Sequence, residues 1–244
     1  MRLSRRTALV IVLVAATAGA WFLVFGRPVD GAYAATRSAA HILLIGASIG
    51  QDWRLAQWPA RTGNSGYTAE SLAVWEFDKS PAVDDVLLRP KRPFRLTRSG
   101  IRGLFEAPPP VPDIVILKEC SSYFPRELTS AEAAFAGWAK QLRGRGRTVV
   151  LATVVPVTAT RSARDPGKQQ SLRLFNEWVR RHAAEQGYAV LDLEAAMRDD
   201  SAEGYMRDAY TSGDGSHLNA AAYHVLDETL TRTLSRADQA VPAR

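Results

Sequence analysis

The chain has 244 residues, 46% hydrophobic and 23% charged, the proportions of a globular domain rather than of a disordered or fibrous chain. Its one cysteine, Cys120, excludes an intrachain disulfide framework and a zinc site built on several thiolates. The formal net charge of +6 is mild, and the four arginines and one aspartate of residues 1–34 account for half of it, so nucleic acid is not indicated as a partner.

Arg2, Arg5 and Arg6 precede an uncharged apolar run from Ala8 to Phe25. A basic flank followed by such a run is the layout of an export signal or a membrane anchor. The run has about 18 residues, or about 27 Å as a helix, the lower edge of what spans a bilayer. Ala32-Tyr33-Ala34 offers a small-x-small cleavage site, and Ser4-Arg5-Arg6 resembles the start of a twin-arginine signal. An uncleaved anchor and a cleaved signal are both open, and both leave residues 35–244 as one domain outside the cytoplasmic membrane.

Beyond a small-residue linker, Ile42 to Ile45 is a continuous apolar run ending at Gly46. Similar runs occur at 114–117, 149–152 and 189–193. Apolar runs without alternation suit strands covered on both faces. Residues 59–110 break the rhythm, with Pro90, Pro93, Pro108, Pro109 and Pro110 and a basic series of Arg89, Lys91, Arg92, Arg95, Arg98 and Arg102. They read as a long, partly irregular insertion, either a solvated basic surface or a lid that attracts an anionic substrate or lipid headgroup. Thr129 with Glu132 suggests a capping box for a helix through Leu142. Leu172, Phe175, Val179 and Ala183 recur at helical spacing before Gly187, and Leu218 to Leu234 gives a C-terminal amphipathic helix. Strands alternating with helices predict a doubly wound parallel sheet with ligands at the carboxyl ends of the strands.

Two motifs carry chemistry. Gly46-Ala47-Ser48-Ile49-Gly50 follows the first strand directly, and glycines around a serine allow a sharp turn with the hydroxyl exposed beside free amides. Asp214-Gly215-Ser216-His217 precedes the last helix. A serine hydroxyl needs an imidazole to take its proton, and the imidazole needs an acceptor that fixes its tautomer. Structural roles are also open to these residues: Ser48 as a helix cap, and Asp214 as the cap of the last helix.

A serine at the end of the first strand, with Asp-x-x-His near the end of the chain, resembles the SGNH, or GDSL-type, hydrolase superfamily over residues 41–234. An α/β-hydrolase, the other family with a Gly-x-Ser-x-Gly turn, normally has several strands before its serine and keeps its acid and base far apart. The resemblance implies a three-layer α/β/α sandwich, with a flavodoxin-like doubly wound parallel sheet of about five strands. It also implies Ser48 as nucleophile, His217 as general base and Asp214 as its orienting carboxylate. The family's oxyanion hole uses the serine amide, a glycine amide and an asparagine. Ser48 supplies the first, Gly66 (with Gly63 as runner-up) is the candidate for the second, and Ser122 stands where the asparagine is usual. Cys120 stands at the usual glycine of that third block and Ala47 at a usual aspartate, so Ser122 or Lys118 is expected to supply the missing donor. Glu119 is expected either to pair with Lys118 or Arg126 or to shape the acyl pocket with Lys118. Trp53, Trp58, Trp75 and Tyr67 are expected in the core rather than as a substrate platform, and Cys120 is expected as a buried thiol rather than a rival nucleophile.

The function so implied is a serine esterase that works through an acyl-enzyme, needs no metal or organic cofactor, and acts on small-molecule, glycan or lipid esters. Membrane association through residues 1–34 is expected if they are not cut. An exported acyltransferase and a non-catalytic envelope- or carbohydrate-binding module are the alternatives.

Overall fold

The computed structural model describes residues 39–89 and 109–240, with the side chains of 237–240 left aside. The basic N-terminal segment with its apolar run, and nearly all of the basic stretch from Arg89 to Arg102, lie outside the described residues. Among the described residues no helix is long and apolar enough to cross a membrane.

Five parallel strands form one sheet: β1 (Ala40–Gly46), β2 (Tyr67–Ala73), β3 (Ile114–Lys118), β4 (Thr148–Ala152) and β5 (Ala189–Leu191), in the order β2-β1-β3-β4-β5. This is the flavodoxin-like order, and the order in which strands are added reverses between β1 and β3. The helices are α1 (Ser48–Asp52), α2 (Trp58–Thr62), α3 (Ser80–Leu88), α4 (Leu128–Gly144), α5 (Ala159–Arg164), α6 (Lys168–Gln186), α7 (Leu193–Met197) and α8 (Ala220–Ala240).

The uninterrupted apolar runs have the reason expected of them. Ile42, Leu44, Ile116, Val150 and Leu191 point to one face, where they pack with Trp53, Trp58, Leu226 and Leu230. Leu43, Ile45, Val115, Leu117, Val149 and Leu151 point to the other, against Val83, Phe135, Trp138, Leu142, Phe175 and Val179. The central strands β1, β3 and β4 are thus buried on both sides, as a doubly wound sheet requires. The three-layer α/β/α sandwich follows directly.

The reading of residues 59–110 as irregular needs correction. That stretch contains most of α2, the edge strand β2 and α3. The sequence of β2, Tyr-Thr-Ala-Glu-Ser-Leu-Ala, carries no apolar run because only Ala69 in it is fully buried. The cap of α4 also differs. Glu127 is its N-cap, and its carboxylate accepts from the amides of Thr129 (2.9 Å) and Ser130 (2.5 Å), so Thr129 is inside the helix. The end of α6 is as expected, with Gly187 at φ 71° in the left-handed region that closes a helix.

Candidate active site

A cavity of about 290 Å³ opens at the carboxyl ends of β1 and β3, the point where the strand order reverses. Such a crevice is where open α/β sheets bind ligands. Ser48, Trp75, Cys120, Ser122, Tyr123, Arg161, Lys168, Asp214 and His217 line it.

The turn from β1 into α1 is made in one residue. Ala47 is extended, with φ −98° and ψ −152°, and Ser48 is already the first residue of the helix. Two glycines permit this. A Cβ on Gly46 would come 3.1 Å from Leu44 Cδ2, and one on Gly50 would come 2.5 Å from the same atom, so α1 lies tight against the strand. At a helix start the first amides have no intrahelical acceptor, and Ser48 is the first residue of α1.

The opposite wall is the turn from Asp214 to His217. One carboxylate oxygen of Asp214 accepts from the amides of Ser216 (2.9 Å) and His217 (2.8 Å), and the other meets the ring Nδ1 of His217. Nε2 is the ring nitrogen left free for the cavity. Partial burial raises the Asp214 carboxyl, but the two amides and the ring outweigh it and bring it down to about 2. The turn is docked on the start of α5 by the amide of its N-cap Thr158, which donates to the Gly215 carbonyl at 3.0 Å. Gly215 has φ 78°, and a Cβ there would lie 2.5 Å from Thr158 Oγ1 and 2.8 Å from Arg161 Cβ, so the position admits only glycine.

The floor between the walls is the loop after β3. Cys120 is 8% exposed and lies on the cavity wall. Its sulfur accepts from the Ser122 hydroxyl at 3.1 Å and interacts with the Ser122 amide and the Ser48 hydroxyl. Burial pushes the thiol up, but the neighbouring Lys118 ammonium and these donors bring it net below its ordinary value. Among the described residues no hydrogen bond joins Ser48 to His217, although both side chains line the same cavity.

Several expected site residues stand elsewhere. Gly66 is at the far end of the sheet: its carbonyl accepts from the Ala40 amide at 2.9 Å, where β1 begins, about 20 Å along the strand from Ser48. It cannot offer an amide to the cavity. Gly63, the C-cap of α2, precedes the same end of β2. Lys118 and Glu119 are buried and do not line the cavity. Lys118 Nζ donates to the Glu119 carbonyl at 2.8 Å, and burial pushes its ammonium down. Glu119 pairs neither with Lys118 nor with Arg126 but with Lys79, at 2.6 Å, in a fully buried ion pair beside the rings of Phe77, Tyr123 and Trp138. Burial pushes the Glu119 carboxyl up to about 7, with Lys79 foremost in pulling it back. Ser122 does line the cavity.

The tryptophans divide. Trp53 and Trp58 are buried as expected, and Tyr67 packs partly buried against them. Trp75, expected in the core, is 59% exposed on the cavity rim. The sequence reading missed it, along with Arg161 and Lys168. Knowing that β2 ends at Ala73 is the signal that finds Trp75, since the Val74 amide donates to the Gly46 carbonyl at 2.8 Å and so sets the next residue beside the β1 turn. No group of His, Cys, Asp and Glu able to hold a metal ion occurs among the described residues.

Comparison with known proteins agrees with this architecture. Residues 97–225 match the model of the GDSL-like lipase/acylhydrolase family. Comparison with curated proteins gives no match. Among solved structures, a GDSL-like lipase from Bacteroides thetaiotaomicron superposes with a TM-score of 0.58 at 15% identity, covering 82% of this chain and 89% of its own. A member of the lipolytic G-D-S-L family from Veillonella parvula gives 0.53 at 16% identity, covering 81% and 100%. An acetyl xylan esterase from Geobacillus stearothermophilus gives 0.55 at 13% identity, covering 81% and 95%. At these identities the likeness is one of fold.

Proposed function

Because this chain belongs to the GDSL-like lipase/acylhydrolase family, and so to the SGNH superfamily of ester-hydrolysing enzymes, we propose that Ser48, His217 and Asp214 carry its chemistry. The observation behind this reading is that all three side chains line one cavity at the switch point of the sheet, with Nδ1 of the imidazole already held by the carboxylate. Ser48 Oγ attacks the ester carbonyl carbon while its proton passes to His217 Nε2. The imidazolium then protonates the leaving alcohol oxygen, and the acyl group stays on Ser48. Water, deprotonated by the same imidazole, attacks the acyl-enzyme and releases the acid. Asp214 holds the tautomer and stabilises the imidazolium. For this step the Ser48 hydroxyl must come within hydrogen-bond reach of His217 Nε2.

The oxyanion formed during attack needs donors. The Ser48 amide is one, and the Ser122 hydroxyl or amide, released from Cys120, is the second. A single such donor is worth roughly 3–4 kcal/mol of transition-state stabilisation. The basic N-terminus and its apolar run support action outside the cytoplasmic membrane, on O-acyl groups of envelope glycans or on lipid esters. Transfer of the acyl group to a sugar hydroxyl is open to the same intermediate and is read out by supplying a sugar acceptor.

A fluorophosphonate probe tests the assignment. Labelling of the folded protein should be abolished in Ser48→Ala and retained in Cys120→Ala. Loss in Cys120→Ala alone would transfer the nucleophile to the thiol. That no hydrogen bond joins Ser48 to His217 among the described residues is the one feature that favours a non-catalytic binding module, and folded wild-type protein that takes no label would bear that reading out.

A further inference from the structure

Arg161 stands on the wall of the Ser48 cavity without a partner. Among the described residues its guanidinium makes no hydrogen bond and no ion pair, and its Nε is shielded from solvent. Leaving a shielded donor of a charged group unsatisfied costs free energy, which a ligand of opposite charge recovers. A second cation, Lys168, is 5% exposed on the same wall and is paired with Asp165. Among the described residues the only carboxylate on the wall is Asp214, already engaged by the His217 ring and two amides. Asp208, in the adjoining cleft, makes no ion pair with Arg161. Arg161 is therefore the cation on this wall whose charge no carboxylate meets.

The arginine is also built into the catalytic end of the fold. Thr158 caps α5 by accepting from the Arg161 amide at 3.2 Å, and the Arg161 stem lies against Gly215 in the turn that carries Asp214 and His217. In strand order Arg161 follows β4, on one side of Ser48, and Trp75 follows β2, on the other.

We propose that Arg161, with Lys168 beside it, forms an anion-binding subsite, so that the preferred ester carries a carboxylate or phosphate on one of its arms while the other arm lies toward the exposed ring of Trp75. An arginine fork suits such a group because its paired N–H donors match two oxygens at once. The inference rests on the proposed triad and extends it to substrate class.

Two matched pairs of esters test it: 4-acetoxybenzoate against methyl 4-acetoxybenzoate, with the charge on the alcohol arm, and mono-4-nitrophenyl succinate against 4-nitrophenyl butyrate, with the charge on the acyl arm. Each kcat/KM is normalised to the ester's own hydroxide-catalysed rate. Wild-type protein should favour the anion at least about ten-fold in one pair, as expected for one charge-assisted bidentate contact. Arg161→Gln should remove most of that preference, Arg161→Lys should restore part of it, and Arg164→Gln, which deletes a neighbouring charge outside the cavity, should leave it intact. The wild-type comparison stands even if Arg161→Gln does not fold. Equal normalised rates within both pairs, in protein whose fluorophosphonate labelling depends on Ser48, overturn the anion subsite and leave the triad standing. Absence of both turnover and labelling overturns the triad, and the subsite with it.

Discussion

Three donors converge on the Asp214 carboxylate, the amides of Ser216 and His217 and the ring Nδ1, and they hold it ionised down to about pH 2. Its ordinary value is 3.8, so the folded protein releases this proton more readily than the unfolded chain. The resulting stability is fully present above about pH 4 and is lost as the pH falls through about 2. The urea midpoints of wild type and Asp214→Asn should therefore differ at neutral pH and converge as the pH is lowered from 4 to 2. A difference that stays constant over that range would show that the turn is not held by the ionised carboxylate. The same substitution should lower kcat by roughly 10²–10⁴-fold, because an amide cannot fix the imidazole in the required tautomer. That Ser48, Asp214 and His217 line one cavity was legible in the sequence because each lies in a short local pattern that a strand end or a tight turn must satisfy. Gly66 was misread for the opposite reason. A glycine amide is useful only at the correct end of a strand, and the strand beside it, β2, had not been recognised.

At the scale of elements, the loop after β3 is set by a buried ion pair. Lys79, at the start of α3, meets Glu119 at 2.6 Å with both side chains fully buried, and this fixes the chain just before Cys120 and Ser122. Removing one partner of such a pair strands the other charge, at a cost of about 3–5 kcal/mol. Lys79→Met should destabilise the fold by that order. The loss should be greater at pH 8 than at pH 5, since the Glu119 carboxyl already stands at about 7 with the ammonium present and is pushed higher without it. A carboxyl whose folded value is raised loses stability as the pH rises through it. Chemical denaturation at the two pH values checks this, and equal losses at both would contradict the buried pair. Nothing local marks Lys79 as the partner of Glu119, because 40 residues separate them and the contact exists only once α3 packs on the sheet. Strands β1, β3 and β4 were readable because helices cover both their faces and demand continuous apolar runs, and the short edge strand β5 still carries Ala-Val-Leu. The edge strand β2 has a mostly half-exposed sequence and leaves no such run.

On the scale of the whole molecule, strand order β2-β1-β3-β4-β5 brings five separate stretches of chain to one rim: Trp75 after β2, Ser48 after β1, Cys120 to Tyr123 after β3, Arg161 after β4, and the Asp214–His217 turn before α8. The sandwich architecture was legible from the alternation of strands and helices, whereas the membership of Trp75 and Arg161 in the site depends on strand order, which no local pattern states. Further fixation comes from α8, whose buried Asp227 accepts from Trp53 Nε1 at 2.7 Å and from the Arg61 guanidinium at 2.8 Å, so the segment after Ser48 is tied to the last helix. The account as a whole requires that this rim carry a covalent acyl group in mid-reaction. Acid quenching of the protein in the first moments of 4-nitrophenyl acetate turnover, followed by peptide mass spectrometry, tests that most directly. The account predicts a burst of nitrophenol with an acetyl group on the peptide containing Ser48, absent from Ser48→Ala, and turnover with the acetyl group on the Cys120 peptide or on none would contradict it.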